Sequence, residues 1–389
     1  MLIPKPRKPD ATARASRRAA LLAFSALLSA CIHVPPPGVG KAVAWQQLPG
    51  WQDDHPAQAW PALLAGCKTM PQRDTRWKDI CAEAALLTDP DDTSARAFFE
   101  RRFTPYIVYA DKGATDGLVT GYYEPLLYGS RMRTPRFRYP IYTRPDDLLT
   151  IELGELYPEL KGKRVRGRLD GKRVVPYYSR AQIENGKRPL GAPLLWVDDP
   201  VTLYFLHVQG SGRVQLPDGE MVFLGYVDQN GHPYRSLARR LVDAGALKLE
   251  EASMQSTRAW LAANPEQLNA MLNANPSYVF FEVRDTDLPG PIGALNIPLY
   301  PERAIAVDPS FVPLGVPVWL DTTLPEEPAI PYRRLVFAQD TGGAIKGPVR
   351  ADLFFGFGAR AEELAGKMKQ PGRVYMLLPN EPVSVPAPK

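Results

Sequence analysis

Proline is the feature that most constrains the fold of this chain. It occupies 41 of 389 positions, about twice the usual share. Because proline lacks a backbone donor and breaks helix interiors, long helices cannot dominate. We therefore predict many short strands joined by irregular connections, and the length allows two domains with separate cores.

The first 30 residues have the three parts of a secretory signal peptide. A basic stretch ends at Arg18, an apolar run covers residues 19–30, and small residues precede Cys31. The run of 12 residues is shorter than the roughly 20 that a permanent membrane helix needs. Cleavage before Cys31 is therefore expected.

The segment around the expected cut resembles the lipobox of bacterial lipoproteins, and it reads Leu28-Ser29-Ala30-Cys31. The resemblance implies that Cys31 is lipidated and becomes the first mature residue. An ordinary signal peptide followed by a chance cysteine is the alternative. Because Ile32 rather than aspartate follows, lipoprotein sorting favours the outer membrane.

The formal net charge of +5 comes from this leader, which holds six basic residues and one acidic residue. Without residues 1–30 the chain has 41 of each kind. The mature protein is therefore formally neutral, and its charge gives no reason to expect a nucleic-acid partner.

The remaining cysteines, Cys67 and Cys81, leave two possibilities open. An oxidising compartment permits a disulfide between them, whereas two buried free thiols fit the sequence equally well. The chain has no C-x-x-C motif, and its four histidines are scattered without ligand spacing. We predict no metal site and no cofactor.

Local patterns predict the elements. Residues 31–45 are a Pro-rich tether, and the tail 381–389 is expected to be disordered. Helical periodicity covers 75–103, capped by Asp92 or Thr93, and returns at 237–242 and 268–272. Strand-like runs occur at 118–123 and 203–208. The last 110 residues predict a compact β-barrel from six short strands, at 278–283, 304–307, 316–321, 334–339, 353–355 and 373–378.

Two carboxylates lie 12 positions apart at predicted strand ends, Asp340 before a Gly342-Gly343 loop and Asp352 before an apolar run. An apolar wall and a second carboxylate both raise a carboxyl pKa, as a general acid for glycoside cleavage requires. Aspartates that merely cap turns are the alternative, and spacing alone leaves both open.

The tripeptide at Asp340 also occurs in aspartic proteases. Those enzymes need two such aspartates that share a proton, and this chain has no second D-T-G or D-S-G. A protease would require a symmetric homodimer, so we set this function aside.

An ordered set of motifs carries more information than any one of them. It resembles the membrane-bound lytic murein transglycosylase A family between about residues 120 and 378. The motifs are T-G-Y-Y-E-P at 120–125, Y-P-I-Y at 139–142, V-Q-G-S-G at 208–212, N-G-H-P-Y-R-S at 230–236, N-P-S-Y-V-F-F at 275–281, and the two aspartate motifs.

The resemblance implies a mainly β fold with some helix, in which a double-psi β-barrel domain carries an inserted second β-domain. The barrel would comprise residues 46–124 and 240–380, and the insert residues 125–239. Asp352 matches the catalytic acid of the family, and Asp340 matches its partner. Asp308 matches a third aspartate of the barrel signature.

A glycan groove between the two domains would use aromatic, amide and hydroxyl groups, which suit sugar rings. Tyr122 and Tyr123 could instead pack in the barrel, and Lys346 could instead be a solvated surface residue; these are the alternatives to sugar binding. The candidate substrate-binding residues are Thr120, Tyr122, Tyr123, Gln209, Gly210, Ser211, Asp308 and Lys346.

The implied function is a lytic transglycosylase that cleaves the β-1,4 bond between N-acetylmuramic acid and N-acetylglucosamine, leaving 1,6-anhydromuramic ends. The alternatives are a peptidoglycan hydrolase on the same scaffold and a non-catalytic peptidoglycan-binding lipoprotein. We expect the protein at the periplasmic face of the outer membrane, anchored through Cys31. Its partners would be glycan strands, with proteins of cell-wall synthesis or division as further candidates.

Overall fold

The computed structural model describes residues 34–380, except residues 162, 164 and 187–189. The strands are β1 Gly38–Ala42, β2 Phe103–Tyr109, β3 Gly117–Glu124, β4 Leu126–Ser130, β5 Tyr139–Ile141, β6 Leu149–Ile151, β7 Val165–Asp170, β8 Arg173–Val175, β9 Leu195–Val197, β10 Ser211–Gln215, β11 Met221–Gln229, β12 Val279–Arg284, β13 Ala304–Val307, β14 Pro317–Leu324, β15 Ile330–Asp340, β16 Arg350–Phe357 and β17 Lys369–Pro379.

The helices in the same part of the chain are short, in agreement with the proline content. They are α1 Trp60–Cys67, α2 Met70–Arg73, α3 Trp77–Leu86, α4 Asp92–Arg102, α5 Arg180–Glu184, α6 Pro200–Gln209, α7 Leu237–Asp243, α8 Met254–Ala263, α9 Leu268–Leu272 and α10 Ala359–Lys367.

Six strands close into a barrel. Their order is β17-β14-β15-β13-β16-β3, and β3 pairs again with β17. Strands β2 and then β1 extend the sheet from β17. The closed barrel beside further sheets confirms the predicted fold class, mainly β with some helix and a second β-domain.

Alternation along the strands separates the barrel interior from its outer face. Val119, Ile305 and Leu353 belong to the interior core, whereas Trp319 and Phe337 pack outward against the N-terminal helices. A disulfide joins Cys67 at the end of α1 to Cys81 in α3, with the Cα atoms 5.5 Å apart. The pairing that the sequence left open is therefore formed.

A second sheet has the strand order β12-β11-β10-β4-β9-β5, and β6, β7 and β8 form a small third sheet. Strand β12 was predicted as part of the barrel, and that placement is wrong. It pairs with β11 from Val279 against Gln229 to Arg284 against Phe223, so its apolar residues fill the core of the second sheet. The proposed domain boundaries at 124 and 240 stay a prediction.

Three local predictions are corrected. Residues 203–208 lie in helix α6 and not in a strand, because the Asp199 side chain caps the first turn and Gly210, at φ 82°, ends it. The cap of α4 is Asp91, which accepts a hydrogen bond from Ser94. The tether ends before Gly38, where β1 begins.

The signal peptide 1–30, Cys31 and the tail 381–389 lie outside the described residues. Within 34–380, less the gaps noted above, no helix has both the length and the apolar character of a membrane span.

Candidate active site

Strand pairing places the two predicted carboxylates in one row across the barrel. Ala306 on β13 pairs with Asp340 on β15 and with Asp352 on β16. Asp352 also pairs with Thr120 on β3, which in turn pairs with Lys369 on β17. Because neighbouring strands lie about 4.8 Å apart, the two aspartate Cα atoms are about 10 Å apart. The methyl group of Ala306 lies between them.

The row faces outward from the barrel. Residues two positions from the row, which share its face, form a separate apolar cluster beside the carboxylates: Tyr122, Ala304 and Phe354, with Leu299 and Ile345 from neighbouring loops. Asp340 and Asp352 are themselves only partly exposed. The two carboxyl groups are therefore shielded from much of the solvent but still accessible in part.

Both carboxylate oxygens of Asp340 accept hydrogen bonds. The Tyr122 hydroxyl donates to Oδ2 at 3.0 Å and the Ala294 N–H donates to Oδ1 at 3.0 Å. Burial nevertheless raises the pKa of Asp340 to about 6, with a smaller contribution from the charge of Asp352, because these bonds offset desolvation only in part. A carboxyl with this pKa exchanges its proton near neutral pH.

Asp352 is held on one oxygen. The Thr120 hydroxyl donates to Oδ1, and among the described residues Oδ2 has no hydrogen-bond partner. Burial raises the pKa of Asp352, while the Thr120 bond and the nearby Arg350 cation act in the opposite direction. Arg350 was not among the predicted site residues, although its position two residues before Asp352 on one strand was a signal for a shared face.

Asp308 supports the loop between β15 and β16. Its carboxylate accepts from the N–H of Gly347 at 2.9 Å and of Ser310 at 3.1 Å. Burial would raise its pKa, but these backbone bonds and the nearby Lys346 lower it on balance. Asp308 is therefore ionised and structural in this geometry, whereas Lys346 is exposed at the loop surface.

The V-Q-G-S-G segment crosses from α6 to β10. The Gln209 side-chain oxygen accepts from the Tyr123 N–H at 3.1 Å, which ties the segment to β3. Gly210 adopts the left-handed conformation that ends α6, and Ser211 is buried. The segment adjoins the site, and direct contact of these residues with substrate stays a prediction.

Tyr123 is too buried to be the surface on which a sugar ring stacks. Its ring is 1% exposed within the barrel core, and its hydroxyl contacts Met254. Tyr122 points to the opposite face, packs on Phe354 at 5.1 Å between ring centroids and bonds Asp340. Adjacent positions on a strand point to opposite sides, so of the two tyrosines only Tyr122 lies on the face of the carboxylate row.

Glu124, the glutamate of the T-G-Y-Y-E-P motif, forms an ion pair with the second sheet. Glu124 is 3% exposed and accepts from Arg213 on β10 at 3.0 Å. The Arg213 guanidinium lies 4.1 Å from the ring centroid of Phe357 and 4.6 Å from that of Phe223. This ion pair joins β3 of the barrel to β10 of the second sheet.

Among the described residues, no group of three or more His, Cys, Asp or Glu side chains is arranged to hold a metal ion. The polar side chains in and around the row supply two carboxylates, a phenol, a hydroxyl, a guanidinium and the amino group of Lys369. Such a set can donate and accept protons.

Two family models match this chain and define its structural class. The MltA specific insert domain matches residues 118–282, and the 3D domain matches residues 303–378. The chain is thus of the class that combines a 3D-domain barrel with an inserted β-domain.

Individual relatives are consistent with this class. The chain is 39% identical to MltA of Neisseria gonorrhoeae, with a TM-score of 0.75 over 89% of this chain and 96% of that one. It is 25% identical to Escherichia coli MltA solved with bound chitohexaose, with a TM-score of 0.64 over 83% and 90% of the two chains. The chain belongs to the membrane-bound lytic murein transglycosylase A family.

The curated Escherichia coli sequence named membrane-bound lytic murein transglycosylase A is 33% identical over 270 residues, 66% of this chain. The match spans 64% of the length of that relative.

Proposed function

We propose that this protein is a lytic transglycosylase acting on peptidoglycan. It cleaves the β-1,4 bond between N-acetylmuramic acid and N-acetylglucosamine and leaves a 1,6-anhydro sugar. Family membership supports the proposal, as does the relative that binds chitohexaose, a chain of β-1,4-linked N-acetylglucosamine. The carboxylate row supplies the acid that the reaction needs.

The observation that carries the assignment is the difference between the two carboxyl groups. Both oxygens of Asp340 accept hydrogen bonds, whereas Oδ2 of Asp352 has no partner among the described residues. A general acid must present a proton to the substrate, and Asp352 has the free oxygen for it. Because burial raises the pKa of both groups, pKa alone does not rank them.

In the proposed mechanism, protonated Asp352 gives its proton to the glycosidic oxygen as the bond from that oxygen to C1 of the muramic residue breaks. The transition state has oxocarbenium character. The Asp352 carboxylate then takes the proton of the C6 hydroxyl, whose oxygen bonds to C1. No water is consumed, and the nucleophile is already held on the substrate.

Asp340 has a supporting role in this scheme. The Tyr122 hydroxyl and the Ala294 N–H fix its orientation, and the charge of Asp352 contributes to its raised pKa. Thr120, Gln209, Gly210, Ser211, Asp308 and Lys346 stay candidates for substrate contact or for shaping the groove.

The site of action follows from the N-terminal sequence. We propose that the signal peptide is removed, that Cys31 is lipidated, and that the enzyme is held at the periplasmic face of the outer membrane. Labelling with a radioactive fatty acid tests this, because Cys31→Ser would then carry no label. Equal labelling of both proteins would contradict it.

Activity is tested with Asp352→Asn, which keeps the size of the side chain and removes its acid. We expect no clearing on peptidoglycan gels but retained binding to sacculi. Asp243→Asn, at an exposed position on α7, is the matched control and should clear normally. Near-normal clearing by Asp352→Asn would overturn the assignment.

Mass spectrometry of digested sacculi tests the reaction type. Anhydro ends support the lyase, whereas reducing ends would mean hydrolysis with Asp340 as the base for water. Binding without any products from the wild type would mean a wall-binding lipoprotein.

A further inference from the structure

The environment of Asp352 contains a cation that the mechanism above does not use. Arg350 lies two residues earlier on β16, on the same face, and its guanidinium is partly buried. One nitrogen donates to the backbone oxygen of Ala351 at 2.6 Å, and another donates to the Thr120 hydroxyl oxygen at 2.9 Å. The guanidinium therefore has a fixed position across β16 and β3.

The Thr120 hydroxyl consequently has a defined orientation. A guanidinium only donates hydrogen bonds, so Thr120 Oγ1 must accept from Arg350. The hydroxyl hydrogen is then available for the other neighbour, Oδ1 of Asp352. With Oδ1 occupied as an acceptor, a proton on the neutral acid belongs on Oδ2.

We propose that Arg350 is a positioning residue, which turns the Thr120 hydroxyl toward Oδ1 of Asp352 and so reserves the transferable proton for Oδ2. The inference rests on the proposed function, because it concerns the acid of that reaction. The proposal explains how an arginine can lie beside a carboxyl group that must stay protonated. Its guanidinium donates to the Thr120 hydroxyl and not to the carboxyl oxygens of Asp352.

Other charged and titratable groups near Asp352 have to be considered. Asp340 lies two strands away on β15 and Tyr122 lies on β3. Lys369 pairs with Thr120 from β17, but its amino group reaches the backbone oxygen of Leu249 at 3.4 Å. Both Thr120 and Arg350 oppose the effect of burial on the pKa of Asp352, so loss of either should raise that pKa.

The test is the dependence of kcat/KM on pH for formation of anhydro products. Thr120→Val and Arg350→Met should each move the alkaline limb upward by about one pH unit and lower kcat, because the proton is no longer confined to Oδ2. Thr120→Ser restores the hydroxyl and should return the limb to its wild-type position. Arg373→Met, which removes an exposed cation paired with Asp116, is the control and should leave the profile unchanged.

The double variant separates positioning from long-range charge. If Arg350 acts through the hydroxyl, Arg350→Met lowers kcat little further once Thr120→Val has removed that hydroxyl, although loss of its charge still moves the alkaline limb. Additive losses of kcat would overturn the proposal, as would an unchanged limb in Thr120→Val. If Arg350→Met does not fold, the comparison of valine with serine at position 120 still decides whether the hydroxyl orders the acid. Failure of the proposed function is distinguishable, since the wild type would then form no anhydro products.

Discussion

Replacement of Asp340 by asparagine should stabilise the protein at neutral pH, even though it alters the active site. The folded-state pKa of Asp340 is about 6, against 3.8 for the unperturbed group. In acid the carboxyl is protonated in both states. As the pH rises from about 4 to about 6, the unfolded chain releases this proton while the folded protein keeps it, so the stability of the fold decreases.

The magnitude follows from the difference of about two pKa units. At 1.36 kcal/mol per unit, ionised Asp340 costs the fold about 3 kcal/mol above pH 6. Asparagine carries no charge at any pH and avoids this cost. It also loses one of the two accepting oxygens, so the difference between variant and wild type must be followed as a function of pH and not read at a single value.

Urea unfolding of both proteins at a series of pH values from 3.5 to 7.5 measures the effect. The free energy of unfolding of Asp340→Asn minus that of the wild type should rise by about 3 kcal/mol across the series, most of it between about pH 4 and 6. Asp243→Asn, at an exposed position on α7, is measured alongside as the matched control for substitution of an aspartate. A difference that stays flat to within about 0.5 kcal/mol would refute the reasoning.

Three further predictions concern stability. Replacement of Cys67 and Cys81 by alanine opens a loop of sequence separation 14 and should cost about 3 kcal/mol, and adding reductant to the wild type should reproduce the loss in thermal unfolding. Asp54→Ala removes the partner of Arg303, and both side chains are 3% exposed. The change should lower the free energy of unfolding by about 3–5 kcal/mol because a buried cation is left without its carboxylate. Chemical denaturation measures this loss, and Asp243→Ala, which breaks an exposed ion pair, is the control. Gly121→Ala would bring a methyl group to 2.5 Å from the Phe355 ring and 2.9 Å from the Ala365 Cα. We expect the free energy of unfolding to fall by about 1–3 kcal/mol, and activity to fall because Thr120 and Tyr122 flank the position. An unchanged melting temperature would contradict this.

Much of the barrel could be predicted from the sequence, because most of its strands are marked by a local pattern of apolar residues. The runs around Leu118, Ala304 and Arg373 alternate or are continuously apolar over a strand length, and the structure has strands there. The run at 203–208 shows the limit, since a short apolar stretch fits a buried helix as well as a strand. The cap signal at Asp199-Pro200 and the stop at Gly210 were present in the sequence and would have decided it.

The site was predictable in its residues but not in its contacts. Asp340 and Asp352 were found from their loop and the motif order. Their common neighbour, Ala306, follows only from the pairing of β13 with both β15 and β16. The Thr120 contact spans 232 positions, and no local pattern specifies a pairing at that distance. The same holds for the contact between Glu124 and Arg213, which are 89 positions apart.

The pairing of β17 with β3 completes a ring of strands around the barrel, and this ring restricts how its strands can move. In a closed ring no strand can slide without breaking hydrogen bonds on both sides, so we expect Asp352 and its neighbours to keep one geometry during the proposed reaction. A glycan strand is a long polymer that must enter and leave. Because the ring does not give way, we expect any adjustment to a passing glycan to occur outside it, in the second sheet that the Glu124–Arg213 ion pair joins to the barrel.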